Sequence, residues 1–395
     1  MTWAAARATR KHERHRIAAG VLLVLWSAAG ISAQEISRGT VIEDVKCAAD
    51  ATQSYALYVP STYVPDRPWN LLIAFHPGAR GRLMVEKYQA AAERYGYIVA
   101  GSNTSRNGPW SVSAAAVQAM SADLGRRFAI DAERVYLTGM SGGARVAMLV
   151  ALGKNNIAGV IASSAGYPDS RPRAAVPFPV FGTAGTEDFN YIEMRLLDRK
   201  LTSPHHLAVF SGGHTLPPDD VALEAIEWLE LQAMKTGRRT RDDALVDRLF
   251  EKRQRLIAAS TGAADSVHLL DALVADFQGL RDVSTEAARA KDLSRQSEVR
   301  KTLARERADD DAEARLLEDI FDLEAGLSDE RRHDAVLIQL RDRLSRLARA
   351  ANAAEPSPAR NQARRVLRAI PSGAAERLQD SEYRKLLDQY GMRGR

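Results

Sequence analysis

"VYLTGMSGGARVAMLVAL", residues 135–152, decides the fold. A β-rich run enters Gly139-Met140-Ser141-Gly142-Gly143 and passes at once into an alanine-rich helical pattern. A strand that turns directly into a helix through Gly-X-Ser-X-Gly presents its serine on a sharp, exposed corner. A serine hydroxyl is a poor nucleophile at neutral pH, so chemistry there requires both exposure and a neighbouring base. Glycines at 139 and 143 would relieve the crowding two residues either side of Ser141. Gly142, at the start of the helix, could donate its N–H to negative charge forming beside the serine. The motif is short and recurs by chance, so its surroundings must decide.

Those surroundings alternate strand and helix from about residue 40 to 236. "SYALYVPS" has period-2 alternation, and "WNLLIAFH" is a continuous apolar run suited to a strand buried on both faces. "MVEKYQAAAERYG" has helical periodicity and stops at a glycine, after which "YIVAGSN" returns to strand. A polar loop "TSRNGPW", a helix through "AAAVQAMSADLGRRF" and the strand "RVYLTGM" lead to the opening stretch. Beyond it come strands "AGVIASSAG", "FPVFGTAG" and "HHLAVFSGG", with helices "YIEMRLLDRK" and "DDVALEAIEWLELQAM". This rhythm predicts an α/β fold with a mostly parallel central sheet, whose functional groups lie at the carboxyl ends of the strands.

Composition changes near residue 237. "TGRRTRDD" reads as a linker, and the chain beyond it is rich in Arg, Glu, Asp, Ala and Leu at helical spacing, for example "DDALVDRLFEKRQRLIAA" and "AVLIQLRDRLSRLARA". The expectation is an all-α module of about five to seven helices over 237–395, with "EPSPA" and "IPSG" as punctuation. Its 31 Lys/Arg and 29 Asp/Glu are interspersed and read as solvated helix faces. No fixed repeat period is evident, so a solenoid is only an alternative.

The bulk properties bound the rest. A chain of 395 residues exceeds one ordinary core, which stops growing near ~250 to 300 residues. Residues 1–33 join a basic stretch, "RATRKHERHR", to the uncharged "IAAGVLLVLWSAAGISA", and read as a signal peptide. That run is short for a span of about 20 residues, although an uncleaved anchor is the alternative. The segment holds five Lys/Arg and one Glu, so removing it takes the net charge from +5 to +1 and leaves no basic excess for nucleic acid. The expected location is secreted or periplasmic. Cys47 is the sole cysteine, which excludes an intramolecular disulfide and a cysteine metal cluster. It reads as a half-buried residue at a strand end.

Partners for Ser141 should stand at later strand ends. Asp188 follows "FGTAG" in "FGTAGTEDFNY", with Glu187 as its rival, and His214 follows "AVFSGG". His205 and His206 begin that strand, at the wrong end. His76 ends "LLIAFH", where orienting a loop suits it better than acting as base, and Ser163 and Ser164 look structural. The chain order Ser, Asp, His is that of the α/β-hydrolases.

With these features in place, residues 40–236 resemble the lidless α/β-hydrolase esterases, closest to the secreted polyhydroxyalkanoate depolymerase and feruloyl esterase group and to dienelactone-hydrolase-like proteins. "YALYVPSTY", "LLIAFHPGARG", "GSNTSRNGPW", "DAERVYLTGMSGGA", "GTEDFN" and "GGHTLPP" carry the resemblance. It implies 34–236 as catalytic domain and a Ser141, His214, Asp188 triad cleaving esters without metal or organic cofactor. It also implies a second oxyanion amide at Gly78, with Ala79 as fallback. Two departures stand out: His76-Pro77-Gly78 replaces His-Gly-X, and proline has no N–H to donate. Leu216 stands where several relatives carry tryptophan.

Only 47 positions separate Ser141 from Asp188, too few for a cap domain, which predicts an open site able to take bulky or polymeric esters. Arg80 and Arg145 near its mouth could attract an anionic acyl group or could be ordinary surface or salt-bridged residues. Peptide hydrolysis by the same triad and a non-catalytic envelope binding or scaffold protein are the alternatives. The helical tail could pack on the rest, self-associate or hold a protein partner.

Overall fold

The computed structural model describes residues 36–154, 156–167, 173–373 and 380–391. The leader read at 1–33 lies outside them. Among the described residues no helix is long and apolar enough to cross a membrane.

Eight strands form one sheet: β1 (Val41–Cys47), β2 (Asp50–Tyr58), β3 (Trp69–Phe75), β4 (Tyr97–Ser102), β5 (Ile130–Met140), β6 (Ile157–Ser163), β7 (Val180–Gly185) and β8 (His205–Phe210). Their order is β1-β2-β4-β3-β5-β6-β7-β8; β2 runs antiparallel to both neighbours, and β3 through β8 are parallel. Strands β4, β6 and β7 are buried along their whole length, which is why they read as continuous apolar runs instead of alternating ones. This is the α/β-hydrolase fold.

Residue parity assigns the two faces. Leu72, Ala74, Tyr136 and Phe181 share a core with Met84 and Tyr88 of α1 (Gly81–Tyr95) and with Ala225 and Trp228 of α5 (Asp219–Lys235). Leu71, Ile73, Phe75, Val135 and Leu137 point the other way. With Val117 of α2 (Trp110–Arg127) and Val150 of α3 (Gly142–Gly153) they line an apolar cavity of about 240 Å³. Helix α2 begins at Trp110, inside the stretch read as loop, because Pro109 immediately before it needs no amide partner. Cys47 ends β1 as expected but is 1% exposed, so it is core and not half-buried.

After α4 (Tyr191–Lys200) and α5 the chain is helical: α6 (Asp243–Ala259), α7 (Ala263–Phe277), α8 (Ser284–Arg295), α9 (Ser297–Gly326), α10 (His333–Ala351), α11 (Pro358–Gly373) and α12 (Ser381–Gln389). The Asp242 side chain caps α6 by accepting from Leu245 N–H at 3.0 Å. Pro371, expected to punctuate, lies inside α11, and the helix stops two residues later at Gly373, since proline has no N–H to bond the carbonyl four residues back. Two apolar clusters join these helices to the sheet layer. Leu231 and Met234 of α5 pack with Leu245, Leu249, Leu270, Leu273 and Phe277, and Ile192 of α4 packs with Ile320, Leu340, Val366, Ile370 and Tyr383. Residues 37–395 accordingly form one compact unit.

Candidate active site

Ser141 occupies the turn between β5 and α3 with φ 53° and ψ −123°, a region that residues with side chains avoid. Three contacts hold it there. Ser141 N–H donates to Ser163 O at 2.8 Å, and Ala144 and Arg145 N–H donate back to Ser141 O at 2.9 and 3.2 Å. A Cβ on Gly139 would overlap the Gly143 carbonyl, and one on Gly143 would overlap the Phe75 carbonyl, so both glycines are required for β3, β5 and α3 to meet this closely. Gly142 N–H, the first amide of α3, has no acceptor among the described residues.

Asp188 is fully buried at the end of β7. Its Oδ1 accepts from His214 Nδ1 at 2.7 Å and from Asn190 N–H at 2.8 Å, while Oδ2 has no partner among the described residues. Glu187 points away from His214 and pairs with arginines of α11, so of the two neighbouring acids the structure joins Asp188 to the imidazole. The Phe189 ring stacks on His214 with centroids 3.8 Å apart, fixing the plane of the imidazole. A Cβ on Gly185 would run into the carbonyls of Gly212 and Gly213. With none there, Glu187 N–H reaches Gly212 O at 2.7 Å and ties the acid loop to the base loop.

Ser164 links all three segments. It has φ 59°, its Oγ donates to Thr215 O at 3.4 Å, and its carbonyl accepts from Asn190 Nδ2 at 2.7 Å. Since Ser141 is bonded to the preceding Ser163, the His214–Thr215 segment lies over the end of β6, one strand from the Ser141 turn. Among the described residues no hydrogen bond joins Ser141 Oγ to His214 Nε2. Unliganded sites commonly hold this bond long and tighten it when substrate arrives.

The loop after β3 differs from expectation. Gly78 N–H donates to His76 Nδ1 at 3.0 Å and Ala79 N–H to His76 O at 3.1 Å, so both amides are engaged inside their own loop. Ala79 itself has φ 55°. His76 orients this loop, as its position suggested. Burial, with the Arg80 charge beside it, lowers its pKa to about 4, so the ring is neutral, and its buried Nε2 has no partner among the described residues. Across from it, Asn107 N–H donates to Pro77 O at 2.9 Å, and the Asn107 carboxamide fills the space a side chain on Gly142 would need.

Other sequence candidates are resolved by their partners. Arg145 is spent on Glu193 through two bonds of 2.7 Å and on Tyr167 O, so it does not face the mouth. His206 stacks on Phe181 and bonds Asp276 at 3.1 Å, far from the strand end that carries His214. His205 Nδ1 meets Ser203 O at 2.7 Å. Leu216 packs against the core of α1 and α5. No helix or strand intervenes between β6 and β7 among the described residues. Sequence reasoning gave no role to Asn107, Phe189 and Asn190; the signals were their place in loops at carboxyl ends of strands and in the stretches "GSNTSRNGPW" and "GTEDFN". Ser164, read as structural, makes structural links between these loops.

No protein-family model matches the chain, and neither does any curated protein. Among solved structures it is similar to esterase B of Lactobacillus rhamnosis, at 17% identity over 52% of this chain and 90% of that one, TM-score 0.41. Est1E of Butyrivibrio proteoclasticus matches at 15% identity over 49% and 100%, TM-score 0.38. Dipeptidyl peptidase 4 of Porphyromonas gingivalis matches at 15% over 47% and 34%, TM-score 0.38. The match spans 62% of a thermostable esterase, less than two thirds of that protein.

Proposed function

We propose that this chain is a serine hydrolase of carboxylic esters, acting outside the cytoplasm once residues 1–33 are removed. The observation that carries the reading is the buried Asp188 bonded to His214 Nδ1 at 2.7 Å, on the same sheet rim as the strained Ser141 turn. Asp188 fixes the tautomer with the proton on Nδ1, which leaves Nε2 as base. Ser141 Oγ attacks the ester carbonyl and His214 takes its proton; the imidazolium then protonates the departing alcohol. Water repeats the sequence on the acyl-enzyme. Gly142 N–H receives the oxyanion, a contact of about 2.7 to 4 kcal/mol in comparable sites. The second donor is the loop 76–80, which must release Gly78 from His76 Nδ1, or present another amide, as substrate binds.

An open rim supports bulky or polymeric esters: Trp110 is 46% exposed beside Asn107, and Arg80 is exposed nearby. A fluorophosphonate probe should label the wild type and leave Ser141→Ala unlabelled. Labelling that survives the substitution moves the nucleophile elsewhere. Parallel assays of chromogenic acyl esters and peptide amides decide between ester and peptide bonds.

A further inference from the structure

Three arginines of α11 converge on the two residues that precede Asp188. Arg365 Nη1 donates to Thr186 O at 2.7 Å. Arg364 Nη1 donates to Glu187 Oε1 at 2.8 Å, and Arg368 Nη1 donates at 3.1 Å to both Glu187 O and Glu187 Oε2. Arg368 Nη1 also lies against Gly213, the residue before His214. These partners stand 177 to 181 positions apart in the chain.

The arginines are themselves held. Arg365 is nearly buried, forks onto the Glu313 carboxylate of α9 and lies 4.3 Å over the Tyr191 ring, at the start of α4. The α11 backbone is fixed by Val366 and Ile370 in the cluster that includes Ile192 of α4. Burial alone would raise the Glu187 carboxyl, but the Arg364 bond and charge, with those of Arg368, outweigh it and hold it below its usual range.

We propose that α11 is a positioning element for the triad: Arg364, Arg365 and Arg368 grip Thr186–Glu187 and thereby set the register in which Asp188 meets His214. This rests on the hydrolase reading above. The acid loop has two unequal supports. From beneath, the sheet layer holds the amides: Thr186 N–H donates to Phe210 O at 2.8 Å, Glu187 N–H to Gly212 O at 2.7 Å and Asp188 N–H to Gly185 O at 3.0 Å. From outside, among the described residues no element of the sheet layer anchors the Thr186 and Glu187 carbonyls, and α11 does. Because Glu187 N–H is bonded to Gly212 O, a shift of Glu187 moves the His214 loop as well. A misplacement of about 1 Å in a catalytic group is worth about 100-fold in rate. The helical region would then be part of the active site's construction rather than an appendage.

The test uses the full chain with Arg364→Met/Arg368→Met and Arg365→Met, beside Arg368→Lys and a control, Arg343→Met, whose partner Asp319 lies elsewhere in the helices. The expected result is a fall in kcat of about 10- to 100-fold with KM unchanged. Arg368→Lys should recover part of it, because an ammonium keeps the charge without the planar fork. A second readout does not depend on turnover: the far-downfield proton signal of His214 Nδ1–H, assigned by its loss in His214→Gln, should weaken or shift in the Met variants. Where Arg365→Met fails to fold, the double variant on the more exposed side of α11 carries the test. Wild-type kcat and an unchanged downfield signal in that folded double variant overturn the proposal. A wild type that shows the signal yet turns over no ester and takes no fluorophosphonate overturns the hydrolase reading instead, and the signal still tests the grip.

Discussion

Ser141 stores backbone strain of about 1 to 3 kcal/mol, because its φ of 53° is one that only glycine adopts freely. Ser141→Gly should therefore raise stability by about 1 kcal/mol while abolishing acyl-enzyme formation. Urea unfolding checks the first and probe labelling the second; a variant less stable than wild type would mean the turn is relaxed. At the acid, Asp188→Asn should lower kcat by about 10⁴-fold, since an amide supports the wrong imidazole tautomer. Glu187→Gln should cost far less, because Glu187 acts only through the loop. His76 gives a pH signature. Its folded pKa, about 4, lies below the 6.5 of the unfolded side chain, so between these values the unfolded chain binds more protons. Stability attributable to this ring is intact above pH 6.5 and is lost as pH falls toward 4. His76→Gln should flatten that part of a plot of urea midpoint against pH.

At the scale of elements, the site depends on how closely α3 crosses β3 and β5. Gly143→Ala would drive a methyl into the Phe75 carbonyl, which is backbone and cannot swing aside. A destabilisation of about 1 to 3 kcal/mol or more is expected, with activity lost in parallel as the turn opens. Helix α1 ends at Gly96 with φ 72°, donating to Ala92 O. Gly96→Ala there should destabilise by about 1 kcal/mol with little effect on kcat, since it lies at the end of α1 remote from Ser141. Thermal denaturation and turnover measured on the same two variants separate the crossing from the cap. Glycine spacing at 139 and 143 was legible in the sequence because crowding at a strand-to-helix turn is local. The engagement of Gly78 by His76 was not, since it depends on the path of the whole loop.

Across the whole molecule the sheet layer and the helices share apolar cores and a buried polar junction. Trp228 Nε1–H of α5 donates to Asp276 Oδ1 of α7 at 2.6 Å, and the same carboxylate meets His206 of β8. Unfolding in urea should accordingly show one transition reported alike by tryptophan fluorescence and circular dichroism. A chain stopped at residue 236 should be poorly soluble, because it would expose Leu231, Met234 and Ile192 and strip Trp228 and His206 of their acid partner. A soluble, fully active 34–236 fragment would contradict both this coupling and the grip of α11 on the acid loop.

The sequence by itself determined the layer architecture, the helical character of residues after 237 and the serine turn, because hydrophobic period and turn chemistry are properties of neighbours along the chain. It also pointed to Ser141, His214 and Asp188 as the candidate site, with Glu187 as the rival acid. Only the tertiary structure set Asp188 against His214, turned Glu187 toward α11 and sent Arg364, Arg365 and Arg368 to the two residues before Asp188. Among 31 basic and 29 acidic residues after position 236, a solvated helix face and a clamp on a distant loop are written in the same letters. Proximity in space decides which charges meet, and no local pattern encodes that.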